Sequence, residues 1–382
     1  MDFSFSDEQR AIADLAKQIF TDKASHERVR QIERSAGPRF DRELWAEVAK
    51  AGLLGIPVPQ EHGGAGLGFL EVALIVEQTA RAAAPIPLLE TLVLGALPLA
   101  AFGTAEQRSA WLPKVANGTA ILTSALVEDQ ADPQRPTTRA RRDGSGWRLT
   151  GAKTCVPAGE FADLLLVSAR TDDGQVLLFL VEPATPGIHT TALQTTSGQP
   201  EAHVDFEGVR LDAAALLGGD ATDGAHALAW ILERANAALA WVALGVTEQA
   251  LTLTAEYTKN RKQFDQPIAM FQAVGQRLAD AYVDTEAIRL TAWQAASRLA
   301  AGEPAAAQVA IAKYWAASAG QRVVHTAQHL HGGMGVDRDY PLHRYFLYAK
   351  QLELTLGGAT GQLQRLGRMI VAEADAAAGA SR

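Results

Sequence analysis

Residues 163–187 read DLLLVSARTDDGQVLLFLVEPATPG. This stretch holds two apolar runs of strand length, separated by the turn-forming sequence Asp172-Asp173-Gly174. Pro186-Gly187 ends the second run with another turn signal. Short apolar runs alternate with turn signals over about residues 121–217, so the sequence predicts a small antiparallel β domain in the middle of the chain.

Helical patterns flank this β domain on both sides. Before it, a helix-start signal at Ser6 is followed by apolar residues at helical spacing. After it, Leu228, Leu232 and Ala235 recur at intervals of four and three. Helices, then strands, then helices predict an α+β fold with segregated layers. The predicted segments are an N-terminal helical domain over 1–117, a middle β domain over 118–222 and a C-terminal helical bundle over 223–382.

Composition and charge exclude several classes of partner. The 382 residues carry a formal net charge of -8, so the surface as a whole repels nucleic acids and anionic membranes. The single cysteine, Cys155, excludes an internal disulfide and fits a reducing compartment, which makes the cytoplasm the expected location. The N-terminus lacks a signal-peptide pattern, and the charge-free run over 235–247 is shorter than the roughly 18 residues of a membrane span. No metal-ligand spacing occurs, so we expect no metal site.

One carboxylate lies within a helix pattern that is apolar on nearly every face. Glu233 stands between Trp230 and Ala237, where a lone buried charge would be very costly. It is therefore paired, protonated or functional. A catalytic base is one interpretation, and a structural pair with Arg234 or another cation is the other.

Two further segments have the composition of phosphate-binding sites. Arg261-Lys262-Gln263-Phe264 follows the long helix pattern, where a cation, an aromatic ring and free backbone groups can grip a phosphate or a heterocycle. His329-Leu330-His331-Gly332-Gly333 ends a later helix with glycines that let backbone approach a pyrophosphate. A solvated helix end explains the first segment equally well, and a glycine helix cap explains the second.

In combination, these segments resemble the acyl-CoA dehydrogenase family over nearly the whole chain. The matching stretches are PQEHGGAGLGFLE, GWRLTGAK, RKQFDQPIAMFQAVGQRLAD and HLHGGMGVDRDYPLHRYFLYAK. The resemblance implies tetramers with FAD and acyl-CoA between the domains. It also implies a reaction in which a glutamate removes the α proton of the thioester while the β hydride moves to flavin N5.

The resemblance assigns residues to FAD, much of which a neighbouring subunit holds in this family. We call these positions the donor half. His329 departs from the family pattern, where a glutamine is usual, and so does Asp265, next to Phe264, where a glycine is usual. The donor half consists of Arg261, Phe264, Gln272, His329, Gly332 and Gly333. Thr360 and Gln362 match further cofactor contacts.

The positions that face the isoalloxazine in this family depart from its pattern. In this receiving half, Val127-Glu128-Asp129 replaces a Thr-Glu-Pro segment and Cys155-Val156-Pro157 replaces a Trp-Ile-Thr or Trp-Ile-Ser run. Proline offers neither a hydroxyl group nor a backbone N–H toward flavin N5. The resemblance therefore predicts a chain whose donor half is retained and whose receiving half is degraded.

The resemblance also bears on catalysis. Gly358 occupies the place of the common catalytic glutamate, and its backbone N–H can still polarise a thioester carbonyl. Glu233 aligns with the base of members that carry the glutamate on the long helix, with Arg234 as a predicted substrate contact.

These positions predict an FAD-dependent acyl-CoA dehydrogenase, alone or as one subunit of a heterotetramer acting on a bulky or steroid-derived acyl-CoA. The alternatives are a non-catalytic subunit that completes the FAD site of another chain and a flavin monooxygenase on the same fold. Expected partners are the acyl-CoA, an electron-transfer flavoprotein or similar acceptor, and either identical subunits or a second acyl-CoA dehydrogenase subunit. No nucleic acid and no membrane are expected.

Overall fold

The computed structural model describes residues 4–380, and for 377–380 only the backbone. The predicted order of helices, strands and helices is confirmed. The helices are α1 Asp7–Lys23, α2 His26–Arg34, α3 Arg42–Lys50, α4 Phe69–Arg81, α5 Leu97–Phe102, α6 Ala105–Ala116, α7 Gly224–Asn260, α8 Gln272–Ala300, α9 Ala306–His331, α10 Leu342–Leu354 and α11 Ala359–Ala380. The strands are β1 Leu122–Ala125, β2 Arg139–Asp143, β3 Gly146–Pro157, β4 Leu164–Arg170, β5 Val176–Val181, β6 Ile188–Leu193, β7 Glu201–Leu211, β8 Lys262–Gln263 and β9 Gln266–Pro267.

The described residues form two compact units. The sheet unit comprises Ile12–Ile75 and Ala84–Ala235. The bundle unit comprises Val76–Ala83, the residues from Asn236 onward and the N-terminal segment that ends at Ala11. The division into segments 1–117, 118–222 and 223–382 stays a prediction.

Seven strands form the main sheet, in the order β1-β4-β2-β3-β7-β6 with β5 paired to β4. The hairpin predicted from residues 163–187 is present, because β4 and β5 pair antiparallel from Arg170↔Val176 to Leu165↔Val181. The predicted middle β domain is confirmed, and four of the strand pairs in its sheet are antiparallel as expected, while two are not. β1 and β2 both pair with β4 in parallel, because each is joined to β4 by a connection that returns the chain in the same direction.

The glycine-rich loop 62–68 has a packing role within the sheet unit. A Cβ added at Gly64 would lie 2.1 Å from the carbonyl oxygen of Val58 and 2.4 Å from that of Gly55. The N–H of Gly66 donates to the Val58 carbonyl at 2.8 Å. Glycine is therefore needed because backbone packs directly on backbone there.

α7 is long and apolar enough to pass the composition test for a membrane span, the one described helix to do so. Of its most apolar 18-residue window, 78% is buried inside the protein. A core helix of a globular protein gives the same result, which agrees with the prediction of a buried helix here.

A buried ion pair crosses the sheet unit. The Lys153 ammonium donates to Glu128 Oε1 at 2.6 Å and to Ser168 Oγ at 2.9 Å, and the Lys153 side chain is fully buried. Burial alone would raise the pKa of Glu128, but the Lys153 charge and the hydroxyls of Thr137 and Thr138 outweigh it and lower that pKa to about 2. Glu128 therefore stays ionised at neutral pH, and its buried negative charge is compensated by Lys153.

Replacing Lys153 tests this dependence. Lys153→Met should lower the free energy of unfolding by roughly 3–5 kcal/mol, because it leaves a buried carboxylate without its cation. Urea denaturation measures the loss. Lys50→Met, an exposed substitution of the same kind in the same unit, should change stability by less than about 0.5 kcal/mol. Equal stabilities for the two variants would show that the pair contributes nothing.

The bundle unit contains a partly buried network of charged side chains, centred on Glu248 of α7. Arg81 Nη1 lies 2.5 Å from Glu248 Oε2, and Arg289 Nη2 donates to Glu248 Oε1. Glu77 is buried one helical turn before Arg81. Burial, reinforced by the negative charge of Glu248, raises the pKa of Glu77 to about 8. Glu77 is therefore largely protonated at neutral pH.

Glu77→Gln should change the pH dependence of stability. The folded pKa of Glu77 lies above its ordinary value of 4.5, so its contribution is fully present below pH 4.5 and is lost as pH rises toward 8. Glutamine does not ionise, so the variant should gain stability relative to the parent across that window. Urea denaturation at pH 5 and pH 8.5 tests this, and a constant difference between the two proteins would contradict the assignment.

Candidate functional site

The hairpin that follows α7 holds Phe264 out from the surface. β8 and β9 pair through Gln263↔Gln266, which leaves a two-residue loop of Phe264 and Asp265. Their φ angles are 53° and 65°, the left-handed pair that a tight hairpin turn requires and that aspartate tolerates better than most residues. Phe264 is 87% exposed and makes an edge contact with Phe271. The Phe264 ring therefore lies on the surface and is accessible to a ligand or another subunit.

Arg261 lies at the base of this hairpin. Its N–H donates to the Tyr257 carbonyl at 2.8 Å, and its carbonyl accepts from Ile268 N–H at 2.8 Å. Its exposed guanidinium makes no hydrogen bond or ion pair with the described residues. Gln272, the first residue of α8, is also exposed. The backbone is therefore fixed while both side chains remain free to bind a ligand.

The C-terminus of α9 ends in an open glycine turn, residues 332–335. Gly332 caps the helix with φ 58° and ψ -133°, and its N–H donates to the carbonyls of Gln328 and His329. A Cβ at Gly332 or Gly333 would meet nothing within 4 Å. Gly332 caps the helix as predicted, while the binding of a pyrophosphate on the open side of Gly332 and Gly333 stays a prediction.

A cleft of about 690 Å³ lies between α8 and α9 and includes His329. Arg322 and Asp284 join the two helices across it with hydrogen bonds of 2.6 and 2.8 Å. Sequence reasoning missed this cleft, although the polar residues recur at helical spacing on both helices. Its lining is Arg277, Asp280, Ala281, Val283, Asp284, Arg322, His325, Thr326 and His329.

Gly358 precedes α11 in a loop without a carboxylate. Its carbonyl accepts from Gln362 N–H at 3.1 Å, and its own N–H makes no hydrogen bond within the described part of the chain. Gln362 is buried and turns its amide toward the carbonyls of Leu356 and Gly357 at 3.3 and 3.4 Å. Its Oε1 lacks a partner among the described residues. Thr360 is exposed.

Glu233 and Arg234 lie in the sheet unit. Glu233 is partly exposed and makes no hydrogen bond or ion pair with any residue that the structure describes. The Arg234 guanidinium lies flat over the Trp230 ring, 3.5 Å from its centroid, and donates to the Trp230 carbonyl at 3.3 Å. Burial lowers the pKa of Arg234 to about 10. Arg234 stacks on Trp230 and makes no ion pair with Glu233, although the Glu233 charge still acts to raise the Arg234 pKa against burial. Both interpretations of Glu233 stay predictions.

Comparison with known proteins identifies the chain. Models of the acyl-CoA dehydrogenase N-terminal, middle and C-terminal domains match residues 6–119, 127–211 and 222–371. Acyl-CoA dehydrogenase FadE27 of Mycobacterium tuberculosis is 43% identical over 376 residues, which cover 96% of this chain and 98% of that protein. The chain belongs to the acyl-CoA dehydrogenase family.

Two solved structures of similar proteins are a steroid ACAD and a ChsE4–ChsE5 complex. A variant of the Tcur3481–Tcur3483 steroid ACAD is 46% identical with a TM-score of 0.89, covering 96% of this chain and 99% of its own. The ChsE4–ChsE5 complex of Mycobacterium tuberculosis is 42% identical with a TM-score of 0.91, covering 97% and 99%. Acyl-CoA dehydrogenases are FAD-dependent oxidoreductases that act on CH–CH bonds.

The donor half of this acyl-CoA dehydrogenase fits FAD. Arg261 offers an unpaired guanidinium for a pyrophosphate, Phe264 an exposed ring, and the glycine turn an open backbone. These features lie on two segments of the bundle unit and follow the family pattern. Phosphate binding by a cation and exposed backbone requires no further metal, and among the described residues no cluster of His, Cys, Asp and Glu suits one.

The receiving half does not fit an isoalloxazine. Cys155 lies at a bulge of β3 with φ 48°, and Pro157, which has no N–H to donate, pairs with Glu201 of β7. Burial, with a smaller contribution from the charge of Glu201, raises the pKa of Glu90 to about 7. Burial and Glu201 likewise raise the pKa of the Cys155 thiol. Pro157 therefore offers no hydrogen-bond donor at this end of β3.

If Glu233 is a base, Glu233→Gln should preserve flavin and thioester binding while abolishing bleaching of the flavin by substrate. The amide has nearly the same shape as the carboxylate but cannot take up the α proton. Stopped-flow absorbance at the flavin band measures the rate, and Glu256→Gln, an exposed change near the other end of α7, serves as the control. Bleaching at the parental rate would remove Glu233 from the chemistry.

Proposed function

We propose that this acyl-CoA dehydrogenase is one subunit of a heteromeric enzyme that α,β-desaturates a bulky, steroid-derived acyl-CoA. In this proposal its donor half completes an FAD site on the partner subunit, and its own receiving half holds no flavin. The observation that carries the proposal is the contrast between the two halves. Arg261 and the glycine turn are open to a ligand, whereas Pro157 offers no hydrogen-bond donor toward a flavin.

Exposed apolar side chains support an oligomer. The large hydrophobic side chains that the structure exposes lie almost all in the bundle unit, with Leu15 as the exception. Burying such side chains against another subunit removes apolar area from water. They are Phe264, Met270, Tyr282, Val283, Leu290, Met334, Val336, Leu354, Leu363, Ile370 and Val371.

The partner is proposed to be a second acyl-CoA dehydrogenase subunit, as in the ChsE4–ChsE5 complex to which this chain is similar. The steroid substrate class is taken from the similar Tcur3481–Tcur3483 steroid ACAD. An electron-transfer flavoprotein or similar acceptor would reoxidise the flavin, and a cytoplasmic location fits the single unpaired cysteine.

A second candidate is a self-sufficient homotetramer that uses Glu233 as its base. Glu233 favours this alternative, because it is partly exposed and makes no ion pair within the described residues. In either case the Gly358 N–H is free to polarise a thioester carbonyl, and Arg234 as a substrate contact stays a proposal.

Purifying the chain alone and together with its co-expressed partner separates the two candidates. The heteromer proposal predicts a colourless or substoichiometric protein that gains FAD only with the partner. The visible spectrum and the native mass measure this. A yellow homotetramer with one FAD per chain would overturn the heteromer proposal in favour of the self-sufficient enzyme.

Arg261→Ala tests the donor half directly. Removing the guanidinium should weaken FAD binding in the flavin-containing assembly about 10- to 100-fold, since a charge-assisted hydrogen bond contributes roughly 1.5–3 kcal/mol. Equilibrium flavin titration measures the change. Arg338→Ala, an arginine on the loop after α9, is the matched control. Unchanged FAD affinity in Arg261→Ala would refute the role of the donor half.

A further inference from the structure

His331, the last residue of α9, is buried and uses both ring nitrogens. Nδ1 lies 2.8 Å from the Ala327 carbonyl oxygen, and Nε2 lies 3.1 Å from the Tyr340 hydroxyl. A carbonyl oxygen can only accept, so Nδ1 carries the proton and Nε2 accepts from Tyr340. Burial lowers the pKa of His331, which agrees with this neutral tautomer. The ring orientation is thereby fixed.

The same ring stacks on the end of α7. The rings of Tyr257 and His331 have centroids 4.3 Å apart and planes inclined by 25°. Tyr257 lies one helical turn before Arg261 and accepts the Arg261 N–H at its carbonyl. The stack therefore joins the two phosphate-gripping segments of the donor half, the residue-261 end of α7 and the glycine turn after His331.

Tyr340 closes the loop that contains the glycine turn. Within residues 332–340 the backbone hydrogen bonds are long, with Val336 N–H to Gly333 O at 3.3 Å and Tyr340 N–H to Asp337 O at 3.2 Å. The apolar side chains of this loop, Met334 and Val336, are exposed and do not anchor it. The hydrogen bond between His331 and Tyr340 thus ties the end of the loop back to its start.

We propose that Tyr257, His331 and Tyr340 are positioning residues that hold the residue-261 end of α7 and the glycine turn at the spacing a flavin dinucleotide requires. They touch neither cofactor nor substrate and act through Arg261 and the turn backbone. This inference rests on the proposed function, because it concerns the donor half that completes the FAD site. It adds three residues that the donor half does not contain.

The test measures FAD dissociation constants of the flavin-containing assembly with His331→Phe, Tyr340→Phe and the double variant. Each single variant should weaken FAD binding about 3- to 10-fold, while the turnover number at saturating FAD stays at the parental value. Both single variants break the same hydrogen bond. The double variant should therefore bind FAD no more weakly than the single variant with the lower FAD affinity. Tyr314→Phe, whose hydroxyl makes no hydrogen bond with the described residues, should leave FAD affinity unchanged.

The outcomes separate this inference from the proposed function. If Arg261→Ala releases FAD but both Phe variants retain parental affinity with unchanged native mass, the positioning role is overturned and the donor half stands. If Arg261→Ala leaves FAD affinity unchanged, the proposed role of the donor half is overturned, and the positioning role that depends on it is overturned with it. Additive losses in the double variant would also overturn the inference. Should a single variant not assemble, Tyr257→Leu, which removes the stacked ring and leaves the hydrogen bond, must produce the same loss of FAD affinity.

Discussion

The close approach of α4 to α7 is the constraint on which the bundle unit depends. A Cβ at Gly245 would lie 2.3 Å from the Glu77 carbonyl oxygen, so only glycine permits this packing distance. One turn later, Glu248 binds Arg81 of α4 and Arg289 of α8 and fixes all three helices. Tyr257 lies further along α7, and its ring stacks on His331, the residue that precedes the glycine turn.

The two halves of the flavin site differ in how they are built. The donor half consists mainly of backbone fixed by hydrogen bonds, with free side chains pointing outward. In the receiving half, Glu128 and Lys153 satisfy each other, and β3 carries a proline that offers no N–H. Under the proposed function, the fold is kept by packing and by this ion pair, neither of which requires a flavin.

The sequence predicted the helix–strand–helix order because hydrophobic periodicity reports directly on local structure. It could not predict the parallel pairing of β1 and β2 with β4, which depends on non-local strand order. Arg261 and Gly332 were found through motif order, but the stacking of Tyr257 on His331 was not, since aromatic residues 74 positions apart carry no signal of contact. The carboxylate of Glu233 was noticed from its apolar surroundings, whereas the stacking of Arg234 on Trp230 required coordinates.

The exposed ring of Phe264 affects how the chain behaves before it assembles with other subunits. It lies at the tip of a hairpin in a left-handed conformation, beside other uncovered apolar side chains of the bundle unit. A subunit synthesised in excess presents this surface to every neighbouring protein, and such surfaces promote aggregation and capture by chaperones. Under the proposed heteromer, this exposed surface makes balanced synthesis of the two subunits advantageous, independent of catalysis.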